Sequence, residues 1–319
     1  MSARSGAGVT RDVVLRDVTL RDGLQDERPL ATDTKLAIFE GLLDAGVAEL
    51  ELCSFVRPDR VPAQADADVL AARTTDERVV RWALVLNQRG AERALAAGID
   101  HLQYVLSVSE AHNLGNAGRT VDASLDDLER VCALAADHGP GIVVELTAAT
   151  SFGCPHTGPV DPGDVVTVVE RALTAGVAGI GLADTIGTAI PADVAALLDA
   201  VAAVTGDVPV GVHLHDTRGL AIANALTALE HGVTRFDAAV GGLGGCPFAP
   251  GASGNLPIED LAHLFEESGV RTGLDVDRLV DVASTACDAV GRPVASHVGV
   301  AGRRFAKVEP TSASGGGGR

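Results

Sequence analysis

The chain has 319 residues and a formal net charge of −18, with 46% hydrophobic and 21% charged residues. That composition can bury a sizeable core. Lysine is confined to Lys35 and Lys307, so no broad basic face is on offer to nucleic acid or an anionic membrane, and an acidic ligand would have to be met locally by arginines or backbone N–H groups.

The opening segment "MSARSGAGVTRD" has no apolar signal-like run, no stretch of 18 uninterrupted apolar residues follows, and the five cysteines show no CxxC spacing. These features predict a cytoplasmic protein with reduced thiols. Residues 1–11 read as an N-terminal extension, 12–300 as one domain, and 301–319, ending in "PTSASGGGGR", as a low-complexity tail.

From residue 12 onward, short β-branched runs alternate with Ala/Leu-rich stretches at helical spacing. Strands are predicted at 12–20, 48–53, 79–86, 101–107, 142–148, 179–184, 209–215 and 235–240, with helices such as 33–46, 124–139, 164–176 and 221–232 between them. Gly46, Gly98, Gly139, Gly176 and Gly232 punctuate the helix ends. Eight strand–helix units predict a (β/α)8 TIM barrel with an additional C-terminal helix over 275–291. A doubly wound open sheet is the competing architecture, but "TLRDGLQDE" after the first strand is no dinucleotide-binding glycine fingerprint.

In such a barrel the chemistry belongs where strands run into the loops that follow them. The first strand ends in Arg21 and Asp22, the second reaches Glu51, the sixth ends in Asp184, and the seventh ends in "VHLHD" with His213 and His215. Residues i and i+2 of a strand share a face, so the two imidazoles can converge on one metal ion. Asp22 and Asn255, on neighbouring junctions, complete a mixed N/O set suited to Mg²⁺ or Mn²⁺, with a two-His, one-carboxylate iron site as the metal alternative. Cys246 lies among glycines in "GGLGGCPFAPGASGN" and is either a packed thiol or a proton donor on a hinged loop. Arg21 is placed to face a developing oxyanion, Glu51 to support it, and Asp184 either to cap the next segment or to face the site.

The motifs "RDGLQDE", "SFVRPDRVPAQAD", "GCPHTG", "DTIGTAIP", "VHLHDTRGLAIANALTALEHGV" and "VGGLGGCPFAPGASGNLPIEDL" follow one another as in 3-hydroxy-3-methylglutaryl-CoA lyase, and the chain resembles that family over residues 12 to about 295. The resemblance implies that Asp22, His213, His215 and Asn255 ligate a divalent cation, that Arg21 stabilises an enolate, that Cys246 moves protons, and that Glu51 supports the ligands. It further implies cleavage of 3-hydroxy-3-methylglutaryl-CoA to acetyl-CoA and acetoacetate, an acyl-CoA substrate whose phosphates would meet Arg28, Arg57 and Arg60, and a homodimer. The fifth strand departs from the lyase pattern: "ELTAATSFGCP" carries Thr147, Ala149 and Thr150 where those lyases have Tyr-x-Ser-Cys. Another 3-hydroxyacyl-CoA or a 2-oxo acid, handled in the cleaving or condensing direction, is the alternative in the same group. A non-catalytic barrel scaffold is the remote one.

Overall fold

The computed structural model describes residues 12–245 and 254–305. Eight parallel strands close into a barrel: β1 Val14–Asp17, β2 Glu49–Ser54, β3 Val80–Val85, β4 His101–Ser107, β5 Val143–Ala149, β6 Gly179–Asp184, β7 Val210–Leu214 and β8 Arg235–Ala238. Each pairs with its sequence neighbour, and β8 returns to β1 with Val14 opposite Arg235 and Asp17 opposite Ala238. No helix among the described residues is long and apolar enough to cross a membrane.

The strands form because β-branched and aliphatic residues alternate along them, but the two faces are unlike. Leu50, Leu52, Leu102, Leu106, Leu146, Ile180, Leu182, Leu214 and Phe236 are fully buried beneath the surrounding helices, each such burial stabilising by roughly 1.5–3 kcal/mol. The opposite face, lining the barrel, carries Arg16, Glu51, Gln103, Glu145 and Asp237, all buried. Continuous apolar runs would predict strands that are apolar on both sides. Here the interior is polar on purpose, and its charges are paired.

Helices start on local caps. Thr120 accepts from the Ala123 N–H at the head of Val121–His138, and Asp161 accepts from Gly163 N–H before Pro162 opens Pro162–Ala175. All five helix-ending glycines expected from the sequence have positive φ, as at Gly176 (φ 93°). The extra C-terminal helix is present at Val276–Val290 and packs its Cys287 and Ala283 faces beneath the turn at Val240–Gly242.

One expectation fails at the first strand. The strand ends at Asp17, and Thr19–Gly23 is a π-helical turn instead of the continuation to residue 20. Asp17 stops the strand by accepting from both the backbone N–H and the hydroxyl of Thr19, at 2.9 and 2.8 Å. The N–H groups of Asp22 and Gly23 then both return to the Val18 carbonyl. Arg21 and Asp22 therefore sit on a tight turn that folds over the barrel mouth, and π turns of this kind recur at functional sites.

Candidate active site at the barrel mouth

The turn at Thr19–Gly23 and the end of β7 bring three groups together. His213 Nε2 lies 3.0 Å from His215 Nε2, and Asp22 Oδ2 lies 3.9 Å from the first and 3.6 Å from the second. All three residues are buried. Among the described residues this is the one group of three or more His, Cys, Asp or Glu side chains close enough to share an ion. The period-2 reading of "HLH" is borne out, with His215 itself just past the strand in an isolated bridge to Asn255.

Asn255 stands against the same cluster. Its Nδ2 donates to Asp22 Oδ2 at 2.6 Å and to the Leu243 carbonyl at 3.0 Å, while its Oδ1 is buried without a partner among the described residues. Two imidazole nitrogens that face each other, a carboxylate between them and an orphaned amide oxygen beside them are a donor set short of an acceptor. A divalent cation fits that deficit. Burial acts to raise the Asp22 carboxyl, but the Arg21 guanidinium and the two histidines outweigh it and hold it well below the usual carboxylate range. It is ionised and ready to ligate.

Arg21 bridges Asp22 and Glu51, with its Nε donating to Glu51 Oε2 at 2.6 Å and its other nitrogen bonding Asp22. Burial pushes the Glu51 carboxyl up to about 7 even against the pull of Arg21 and Arg16. With its amide nitrogen turned toward Glu51, Gln103 donates to that carboxylate and accepts from Thr147 Oγ1 at 2.7 Å and Arg16 at 3.0 Å. Gln25, one turn on from Asp22, donates to Asp22 Oδ1 at 3.3 Å.

The remaining sequence candidates are placed less centrally. Asp184 is engaged by the loop after β6: its two oxygens accept the N–H groups of Thr188 and Ala189, both at 2.9 Å. Of its two readings, the capping one has the contacts. Arg28 donates to the Ala289 carbonyl on the extra helix, Arg57 pairs with Asp59 at the surface, and Arg60 is exposed on the same loop. Cys246 lies outside the described residues.

Sequence reasoning missed Asp237, Gln103, Arg16, Glu145 and Gln25. Four of these had a signal. Arg16, Gln103, Glu145 and Asp237 are polar letters at alternate positions inside otherwise apolar strands, a pattern that costs stability unless the groups are paired. Cross-barrel pairing is invisible in a linear reading.

A closed (β/α)8 barrel with two histidines, a carboxylate and an asparagine gathered at its mouth defines a TIM-barrel enzyme. The chain belongs to the HMGL-like family, whose profile matches residues 12–286. It is a hydroxymethylglutaryl-CoA lyase-like carbon–carbon lyase. It is 42% identical over 308 residues to an (R)-citramalyl-CoA lyase of Chloroflexus aurantiacus, covering 93% of this chain and 96% of that one. A hydroxymethylglutaryl-CoA lyase of Bacillus subtilis is 37% identical, covering 90% and 96%. A solved HMG-CoA lyase from Acinetobacter baumannii, in complex with coenzyme A and 3-methylmalate, superposes with a TM-score of 0.89 at 36% identity, covering 97% and 99%.

Proposed function

We propose that this protein cleaves the CoA thioester of a short, branched 3-hydroxy dicarboxylic acid to acetyl-CoA and an oxo acid. Citramalyl-CoA, giving acetyl-CoA and pyruvate, is the leading substrate. The observation that carries this choice is the fifth strand: Thr147 and Ala149 stand where the hydroxymethylglutaryl-CoA lyase pattern has larger or more polar residues, and the 42% identical relative is named for citramalyl-CoA. The structural relative crystallised with 3-methylmalate holds an acid of the same carbon count as citramalate. The second reading is 3-hydroxy-3-methylglutaryl-CoA, giving acetyl-CoA and acetoacetate, and it is favoured by the shared motif set and by the Bacillus relative.

Asp22, His213 and His215, with Asn255, would hold a divalent cation, whose Lewis acidity makes a neighbouring tertiary hydroxyl easier to deprotonate. The chain's own groups then divide the work. Arg21 keeps Asp22 ionised as a ligand, and in this reading the hydroxyl proton passes to Glu51, whose carboxyl burial raises to about 7. Arg21 is fixed from two sides by Glu51 and Asp22, so its guanidinium faces the mouth without reorganising as charge develops. When the carbon–carbon bond breaks, its electron pair moves onto the thioester fragment as the enolate of acetyl-CoA. Arg21 stabilises that charge, and in this reading Cys246 delivers the proton to carbon. The proton lost from the hydroxyl balances the proton gained by carbon, and no water is consumed. Leu84, Val105 and Ala149 form a small apolar cluster at the strand ends that suits the methyl branch.

The test is turnover of citramalyl-CoA and 3-hydroxy-3-methylglutaryl-CoA by Mg²⁺-supplemented protein, following acetyl-CoA, pyruvate and acetoacetate by mass spectrometry, with chelator-stripped protein as control. A higher kcat/KM for citramalyl-CoA supports the leading reading. Preference for the glutaryl ester would overturn it in favour of the second, and no metal-dependent cleavage of either would overturn both.

A further inference from the structure

Behind His213, on the side away from the cluster, stands Asp237 of β8. Its Oδ2 lies 3.2 Å from His213 Nδ1, and the same carboxylate takes Arg16 in a two-pronged bond, Nε to Oδ1 at 2.8 Å and a terminal nitrogen to Oδ2 at 3.0 Å. Arg16 is anchored in turn on Glu145 across the barrel at 3.1 Å. All four residues are buried. His215 has no equivalent among the described residues, where its Nδ1 is buried without a partner.

We infer that Asp237, clamped by Arg16, is the positioning residue that fixes the tautomer of His213 so that Nε2 presents its lone pair to the cation. This rests on reading Asp22, His213 and His215 as a cation site. An imidazole ligates through one bare nitrogen, so its proton must sit on the other, and a carboxylate there holds both the proton and the ring plane. Asp237 accepts from three donors, the two Arg16 nitrogens and His213 Nδ1–H. An asparagine offers one oxygen and one NH₂, so Asp237→Asn sets the NH₂ against either Arg16 or His213. The barrel interior thereby reaches the site through one rigid chain, Arg16 to Asp237 to His213, and the π turn at Thr19–Gly23 supplies Asp22 independently.

The experiment measures Mn²⁺ affinity by electron paramagnetic resonance, without substrate, for the wild type, Asp237→Asn and His213→Ala. It adds ¹⁵N NMR of the histidine rings in Mg²⁺-loaded wild-type protein. Asp237→Asn should retain a cooperative thermal transition and bind Mn²⁺ about 10- to 100-fold more weakly. In the wild type, the His213 ring should be protonated at Nδ1. A folded Asp237→Asn with affinity within a factor of about two of the wild type would overturn the inference. So would a wild-type His213 protonated at Nε2, a result that does not depend on the variant folding. Unchanged Mn²⁺ binding by His213→Ala would instead sink the cation-site reading on which the inference stands.

Discussion

At the scale of single residues, Gly244 shows how little room the site leaves. Its φ is 126°, and a Cβ built there would lie 2.5 Å from Asn255 Nδ2 and 3.4 Å from Asp22 Oδ2. Gly244→Ala should therefore push Asn255 off Asp22, and should also cost about 1 kcal/mol or more from the strained backbone. Steady-state kinetics together with thermal unfolding will separate the two effects: kcat should fall at a temperature where the variant is fully folded. An unaltered kcat would mean that Asn255 is not held by this contact. His213 and His215 were readable from the letters because strand geometry has a fixed period of two residues. Asp237 and Gln103 showed in the letters only as polar residues inside apolar strands, because the partners that hold them lie more than 20 residues away in the chain, as His213 does for Asp237.

Among the elements, the helix Ile258–Glu267 ties the segment after β8 to the barrel. Both oxygens of Glu259 accept the Gly241 N–H, at 2.9 and 3.2 Å, and burial pushes that carboxyl up to about 8. A folded-state value raised above the ordinary glutamate value of 4.5 means that the folded protein holds this proton more tightly than the unfolded chain. The associated stability is complete below 4.5 and is lost as the pH rises through about 8. Glu259→Gln removes the titration while keeping one acceptor for Gly241. In urea denaturation from pH 5 to 9, the variant should gain on the wild type as the pH rises and level off above about 8. A pH-independent difference would refute the assignment. The π turn at Thr19–Gly23 is likewise set at the end of one element. The sequence "DVTLRDG" reads as an apolar strand running to residue 20, and only the Asp17 side chain, bonding Thr19, ends it early.

For the molecule as a whole, the charged interior of the barrel is the feature with the largest energetic stake. Arg16 is fully buried between Asp237 and Glu145, with the Trp82 ring 4.9 Å from its guanidinium, and Arg235 bonds Glu145 from the other side. Two carboxylates and two guanidiniums balance only as a set. Arg16→Met keeps the bulk but leaves Asp237 without its guanidinium and Glu145 with Arg235 alone, and removing one partner from a buried pair destabilises by about 3–5 kcal/mol. Chemical denaturation checks this, and a loss below about 1 kcal/mol would mean that the carboxylates find protons or other partners at little cost.

Eight apolar runs alternating with glycine-terminated helices make the barrel legible in the letters, and the HLH period, with the polar residues that follow strands one and eight, makes Asp22, His213, His215 and Asn255 legible as a candidate metal set. Both are local properties, written in periodicity and punctuation. Folding alone puts Asp22 on a π turn, commits the Asp184 oxygens to two backbone N–H groups, and brings Arg16, Glu145 and Asp237 together inside the barrel. Those outcomes depend on distances across a closed sheet between residues as far apart as 16 and 237, and closure, not the order of the letters, sets such distances.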